Sequence, residues 1–221
     1  KDISSHDVEA LNDYGSDIQY ICISAGLYKF ILATIMGDAF KNLSTKNYEK
    51  IPSMEKHINK YYSFMRKMIP IFNRMTKIDA VLACNFTYIG LREVAKVYSE
   101  LKIPYVVMYK EGSMLPERKK EWQNYWMENY FDGTVYASKI LTYNDSINWV
   151  FSNSGLKGLE KEKIITTGSP RLDYYRKSKK QTNDRKKLVV FGFDPMDVCF
   201  YFDEICENES SEFSLNFKKE T

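Results

Sequence analysis

From Asp79 to Thr167, short apolar runs alternate with amphipathic stretches, and this alternation constrains the fold more than any other feature of the chain. Such a texture belongs to a parallel sheet covered by helices, because each strand needs a long crossover before the next parallel strand begins. Strands are predicted at Asp79–Cys84, Pro104–Tyr109, Lys139–Thr142 and Lys163–Thr167, with Gly133–Ala137 as a further candidate. Between them fall helices at Tyr88–Leu101 and at Pro116–Tyr130, the latter opened by a proline in its first turn. A third helix runs to Ser152 from Asp145 or Ser146, either of which suits an N-cap.

The first third is mainly helical in pattern. Ile18–Ile23 suits a strand, Leu27–Met36 an apolar helix, and Ser53–Met75 a helix whose face carries Met54, His57, Ile58, Tyr61, Met65 and Met68. Tyr20–Gly37 is the longest apolar stretch, but Lys29 and several small polar residues make it a buried helix rather than a membrane span.

Hydrophobic residues at 44% suffice for a sizeable core, and a net charge of +3 gives no bulk electrostatic reason to expect nucleic acid or an anionic membrane as a partner, so any basic character must be local. Two histidines and four scattered cysteines without a CxxC pair argue against a metal site, and no cofactor is implied. Cys22 and Cys84 lie in apolar runs, where a free thiol behaves as a small buried hydrophobe, which points to a reducing cytoplasmic setting.

Three parts are expected. A Rossmann-like α/β domain with a parallel sheet and flanking helices occupies residues 1–177. Ser178–Lys187, with no apolar residue and five Lys or Arg, suits a solvated linker. Residues 188–221 are too few for a doubly wound domain and are expected to begin an incomplete second domain, which with the opening Lys1 suggests a piece of a longer protein.

In an open parallel sheet, ligands bind beyond the carboxyl ends of the strands. Four such exits carry more polar groups than a turn requires: Asn85 with Thr87, Lys110-Glu111-Gly112-Ser113, Asn144-Asp145-Ser146, and Gly168-Ser169-Pro170-Arg171. Glu111 suits a general base whose pKa rises when a closing domain desolvates it; the plainer alternative is a solvated loop carboxylate paired with Lys110. Lys110 suits a point charge on a ligand phosphate or carboxylate or, equally, a plain surface lysine. Arg171 suits a phosphate near a helix start, or else ties the linker to the domain through Asp173. Asn85 and Ser146 suit binding or, more plainly, turn and cap roles.

The aromatic stripe Trp122, Tyr125, Trp126 and Tyr130 suits either a sugar platform or a core-facing helix. Arg118-Lys119-Lys120 offers local basic character that would suit anionic lipid headgroups.

The segment ITTGSPRLDYY resembles the GxPRxD element found between the two domains of the CDP-glycerol glycerophosphotransferase family and its capsule and surface-carbohydrate relatives. DAVLACNFTYIGLREVAKVYSELKIPYVVMYKEG is similar to their strand-helix-strand that ends in a KEG-like or WHG-like tripeptide at the interdomain cleft. The resemblance implies the first domain of a two-domain (GT-B) glycosyltransferase. Its activity would be transfer of a sugar or polyol phosphate from a nucleotide-activated donor to a surface-polysaccharide or lipid-linked acceptor. Glu111 would then be catalytic, and Asn85, Lys110, Gly112, Ser146, Gly168, Ser169 and Arg171 substrate-binding. The protein would be cytoplasmic, with peripheral membrane association left open. A nucleotide-sugar 2-epimerase of the same architecture, or a noncatalytic ligand-binding or scaffold module, stands as the alternative.

Overall fold

The computed structural model describes residues 10–11, 18–42, 52–109, 116–130 and 134–170. The chain divides into two units, Lys1–Ser178 and Lys179–Thr221, and the described residues all belong to the first. The predicted linker and second domain lie outside them.

Helix α1 (Ala25–Met36) begins where the Ser24 hydroxyl accepts the Leu27 N–H, and it passes into a 3₁₀ turn at Gly37–Asn42. Helix α2 (Pro52–Thr76) follows, with Pro70 inside it. Strand β1 (Val81–Ala83), helix α3 (Leu91–Glu100), strand β2 (Tyr105–Met108), a 3₁₀ turn (Pro116–Arg118) and helix α4 (Lys119–Tyr130) come next. Strand β3 (Lys139–Thr142), helix α5 (Asp145–Ser152), a 3₁₀ turn (Lys161–Lys163) and strand β4 (Ile164–Thr166) complete the described order.

All four strands are parallel, in the order β1-β2-β3-β4. The predicted strands are therefore present, each trimmed except Lys139–Thr142, which keeps its bounds. Register aligns Ala83, Val107, Ile140 and Ile164 across the sheet, and the last three of these are buried. Tyr105, on the same face as Val107, packs against Tyr98 of α3 in a tilted pair with ring centroids 6.2 Å apart. The opposite face is only half covered: Leu82 and Ile165 are exposed and Val106 and Leu141 partly so.

α2 buries Met54, Tyr61, Met65 and Ile69, while His57 and Ile58 are partly covered. Met68, expected on that face, is exposed, because the buried row continues through Ile69, four residues after Met65. Among the described residues, two predicted strands are absent. Ile18–Ile23 forms no strand although its local pattern suits one, and Ile18 and Ile21 face solvent. Of Gly133–Ala137, Gly133 lies outside the described residues; Thr134 makes a single bridge to Lys157, and the Val135 N–H donates to the Lys157 carbonyl at 2.7 Å. That segment pairs with a turn, not with the sheet. Cys22, expected to be buried, is exposed, since the strand that would have covered it does not form; Cys84 is partly buried.

Gly90 makes the approach of α1 and α2 to α3 possible. It opens α3 with φ 84°, and a Cβ there would lie 3.2 Å from both the Leu32 side chain and the Tyr61 hydroxyl. Gly90→Ala is expected to lower stability by about 2 kcal/mol, from left-handed strain plus crowding. A denaturant melt with an unchanged midpoint would contradict this packing.

Candidate functional site

Parallel strands send their carboxyl ends to one edge, and the described exit residues after β1, β3 and β4, with Tyr109 at the end of β2, share that edge. At the β1 exit, Asn85 is fully buried. Its Oδ1 accepts the Thr87 backbone N–H at 2.6 Å and the Thr87 hydroxyl at 2.7 Å. This Asx turn throws Phe86 inward and places Asn85 in a backbone-organising role.

At the β2 exit, Tyr109 is buried and its N–H donates to the Leu141 carbonyl at 2.9 Å. Lys110, Glu111 and Gly112 follow it directly and lie outside the described residues.

The β3 and β4 exits are laced together. The Thr142 hydroxyl lies 3.4 Å from the carbonyls of Asn144 and Ile165, and the Thr167 N–H donates to the Thr142 carbonyl at 2.9 Å. Asn148 Nδ2 donates to the Thr166 hydroxyl at 3.1 Å. Asn144, with φ −153° and ψ 167°, caps α5 by accepting the Ile147 N–H at 3.0 Å. Ser146, expected as a possible cap, instead sits within the first turn, because Asn144 already provides the extended residue and the acceptor that a cap requires. Asp145 places a carboxylate in that same turn, which disfavours a ligand phosphate at the α5 N-terminus.

β4 ends at a turn. Gly168 has φ 77° with open space around its Cβ position, and the Thr167 hydroxyl donates to its carbonyl at 3.2 Å. Ser169 is partly buried, and Arg171 lies outside the described residues.

Under these exits sits a four-ring cluster of Phe86, Tyr109, Trp126 and Phe151, every pair in contact with centroids between 4.9 Å and 6.2 Å. Trp126, one residue of the supposed sugar platform, is core, while Tyr125 is exposed and Trp122 partly covered. The Arg118-Lys119-Lys120 group is largely engaged. Arg118 pairs with Glu121 at 2.8 Å, and the Lys119 ammonium lies 4.9 Å from the centre of the Trp149 ring. Burial of Trp126 turns that helix towards the core, where Arg118 and Lys119 make these contacts while Lys120 is exposed.

Glu93 escaped the sequence reading. It stands in the first turn of α3 just after the β1 exit and is buried. Burial raises the pKa of the Tyr61 hydroxyl most, and the Glu93 charge and then Tyr28 raise it further, so the phenol is harder to ionise. An i, i+3 check of the helix start offers only a weak signal for Glu93, since first-turn carboxylates are usually solvated.

The sheet order also limits the site. Ligand crevices in open α/β sheets form where strand order reverses, so that neighbouring loops diverge. Among the described residues the order runs β1 to β4 without reversal. A shallow open depression lined by Tyr62, Ser63, Arg66 and Lys67 lies on α2 instead. Tyr62 donates to Glu100, the last residue of α3, and Arg66 lies 3.5 Å from it, which sets this depression towards the amino ends of the strands. Compared with protein-family models, with curated proteins and with solved structures, the chain matches none.

Proposed function

We propose that this chain is the acceptor-side half of a GT-B-type transferase, acting in the cytoplasm on a nucleotide-activated sugar or polyol phosphate. The supporting observation is the all-parallel sheet. Its shared carboxyl edge leads directly into Lys110-Glu111-Gly112 after β2 and into Gly168-Ser169-Pro170-Arg171 after β4. In this proposal Glu111 accepts the proton of an acceptor hydroxyl as that oxygen bonds to the transferred group. The bond to the nucleotide leaving oxygen breaks, and Lys110 and Arg171 offset the charge that develops there. The acceptor is a surface polysaccharide or a lipid-linked carbohydrate.

The test is nucleotide binding followed by turnover in the full-length protein. CDP-glycerol or a UDP-sugar is expected to raise the melting temperature, equivalent to about 2.7 kcal/mol at a hundred times Kd. Glu111→Gln should lower turnover at least about a hundredfold while leaving donor affinity nearly intact. Arg171→Ala should weaken donor binding by about 1.5–3 kcal/mol. If Arg171→Ala only lowers the melting temperature, its role is structural. A second reading, a noncatalytic scaffold, is favoured by the unreversed strand order and by Asn85 and Asn144 serving their own backbone. Failure of every nucleotide to stabilise the protein would select it.

A further inference from the structure

α2 is 25 residues long, about 37 Å at the helical rise, and only one side of it meets the core. Beside the buried row lies a second apolar row whose exposure among the described residues grows towards the end of the helix. Phe64, Met68, Ile71 and Met75 follow at intervals of four, three and four, and they are 38%, 43%, 53% and 78% exposed. Roughly a fifth of a turn further round come Lys56, Lys60, Lys67 and Arg74, all exposed. Among the described residues none of these four cations is in an ion pair. Glu55, the one carboxylate of the helix, stands on a different side, and Arg66 turns away to Glu100.

We propose that this face of α2 docks on an anionic lipid bilayer. An interfacial helix needs an apolar row that sinks about 5–10 Å into the headgroup boundary and a cationic row that meets lipid phosphates. Lys and Arg stems lie along the apolar row while their heads reach the charge. Self-association fits poorly, because two copies packed antiparallel through the apolar row set Lys60, Lys67 and Arg74 of each against cations of the other. The row is also a ridge on one convex helix, which matches a yielding planar surface better than a preformed protein groove. The inference does not depend on the nucleotide chemistry proposed above.

Cosedimentation of the full chain with phosphatidylcholine vesicles, with and without phosphatidylglycerol, tests it. Binding is expected only with phosphatidylglycerol and is expected to weaken as salt rises. Lys60→Gln/Lys67→Gln/Arg74→Gln should lower partitioning about a hundredfold, at about fivefold per cation. Met68→Ser/Ile71→Ser/Met75→Ser should also release the protein with an unchanged melting temperature, since the row is outside the core. Four results overturn the proposal. They are no sedimentation with phosphatidylglycerol vesicles, unchanged partitioning of the serine variant, a concentration-dependent dimer that the serine variant abolishes, and retention on polyglutamate without vesicle binding. The third assigns the face to a second copy and the last to an acidic protein.

Discussion

Phe151→Ala is expected to destabilise the sheet domain by about 3–5 kcal/mol, a large part of the roughly 5–15 kcal/mol that holds a domain folded. The ring is buried, and its centroid lies 5.4 Å from Phe86, 4.9 Å from Tyr109 and 5.2 Å from Trp126. Three contacts are edge-to-face, the orientation in which the positive rim of one ring meets the negative face of another. Each such pair adds about 0.5–1.5 kcal/mol beyond area burial. The four rings come from the β1 exit, the β2 exit, α4 and α5, so the loss should be global rather than a fraying of α5. Equilibrium denaturation read by both tryptophan emission and helix content tests this. The two signals should shift together, and a Phe151→Ala/Trp126→Ala pair should lose less than the sum of the single changes. A loss below about 1 kcal/mol for Phe151→Ala would mean that the cluster collapses without cost, contrary to the packing described.

How far the fold can be read from the residues depends on whether a segment's fate is local. Lys139–Thr142 keeps its predicted bounds because turn residues bracket a short β-branched and aliphatic run. Of the three crossover helices, α3 follows from amphipathic spacing, with Val94, Val97 and Tyr98 on one buried face, whereas α4 is marked by the proline that opens its predicted span and α5 by its capping residues. Ile18–Ile23 has the same local credentials, yet a strand exists only where another strand offers hydrogen bonds, and that partner is not a local property. Met68 and Ile69 differ by one residue, and a single 100° step decides which one is buried.

The site divides in the same way. Asn85 was legible as a turn residue and serves that role, whereas the cap expected at Asp145 or Ser146 falls on Asn144, one residue earlier. Glu93 was not, because its burial follows from α2 bringing Tyr61 over the start of α3, a contact between residues far apart in the chain. The aromatic stripe of α4 was ambiguous for a similar reason. Only the approach of Phe86, Tyr109 and Phe151 makes Trp126 core and leaves Tyr125 outside. Lys110, Glu111, Gly112 and Arg171 lie outside the described residues, so their roles rest on topology and resemblance.

Alkaline unfolding is the second large effect expected. Tyr61, Tyr98 and Tyr105 are buried, and burial is the main cause that raises the pKa of each, Tyr98 to about 12 from the ordinary 10.0 and the other two further. Unfolded tyrosines ionise near the ordinary value, so above it the unfolded chain binds fewer protons than the folded one, and stability falls as pH rises. The contribution is fully present below pH 10 and is lost through about pH 12 for Tyr98, and beyond that for Tyr61 and Tyr105. Every tenfold separation of folded and unfolded ionisation constants is about 1.4 kcal/mol, so three such groups draw heavily on the roughly 5–15 kcal/mol that holds a domain folded. Exposed tyrosines should titrate first with helix content intact. A second rise in tyrosinate absorbance should then coincide with a cooperative loss of helix. Tyr98→Phe keeps the ring against Tyr105 and removes the titrating hydroxyl, and is expected to move that second transition to higher pH. A smooth single titration with helix content preserved throughout would show that the buried hydroxyls ionise in place, and would remove these tyrosines as the cause of alkaline unfolding.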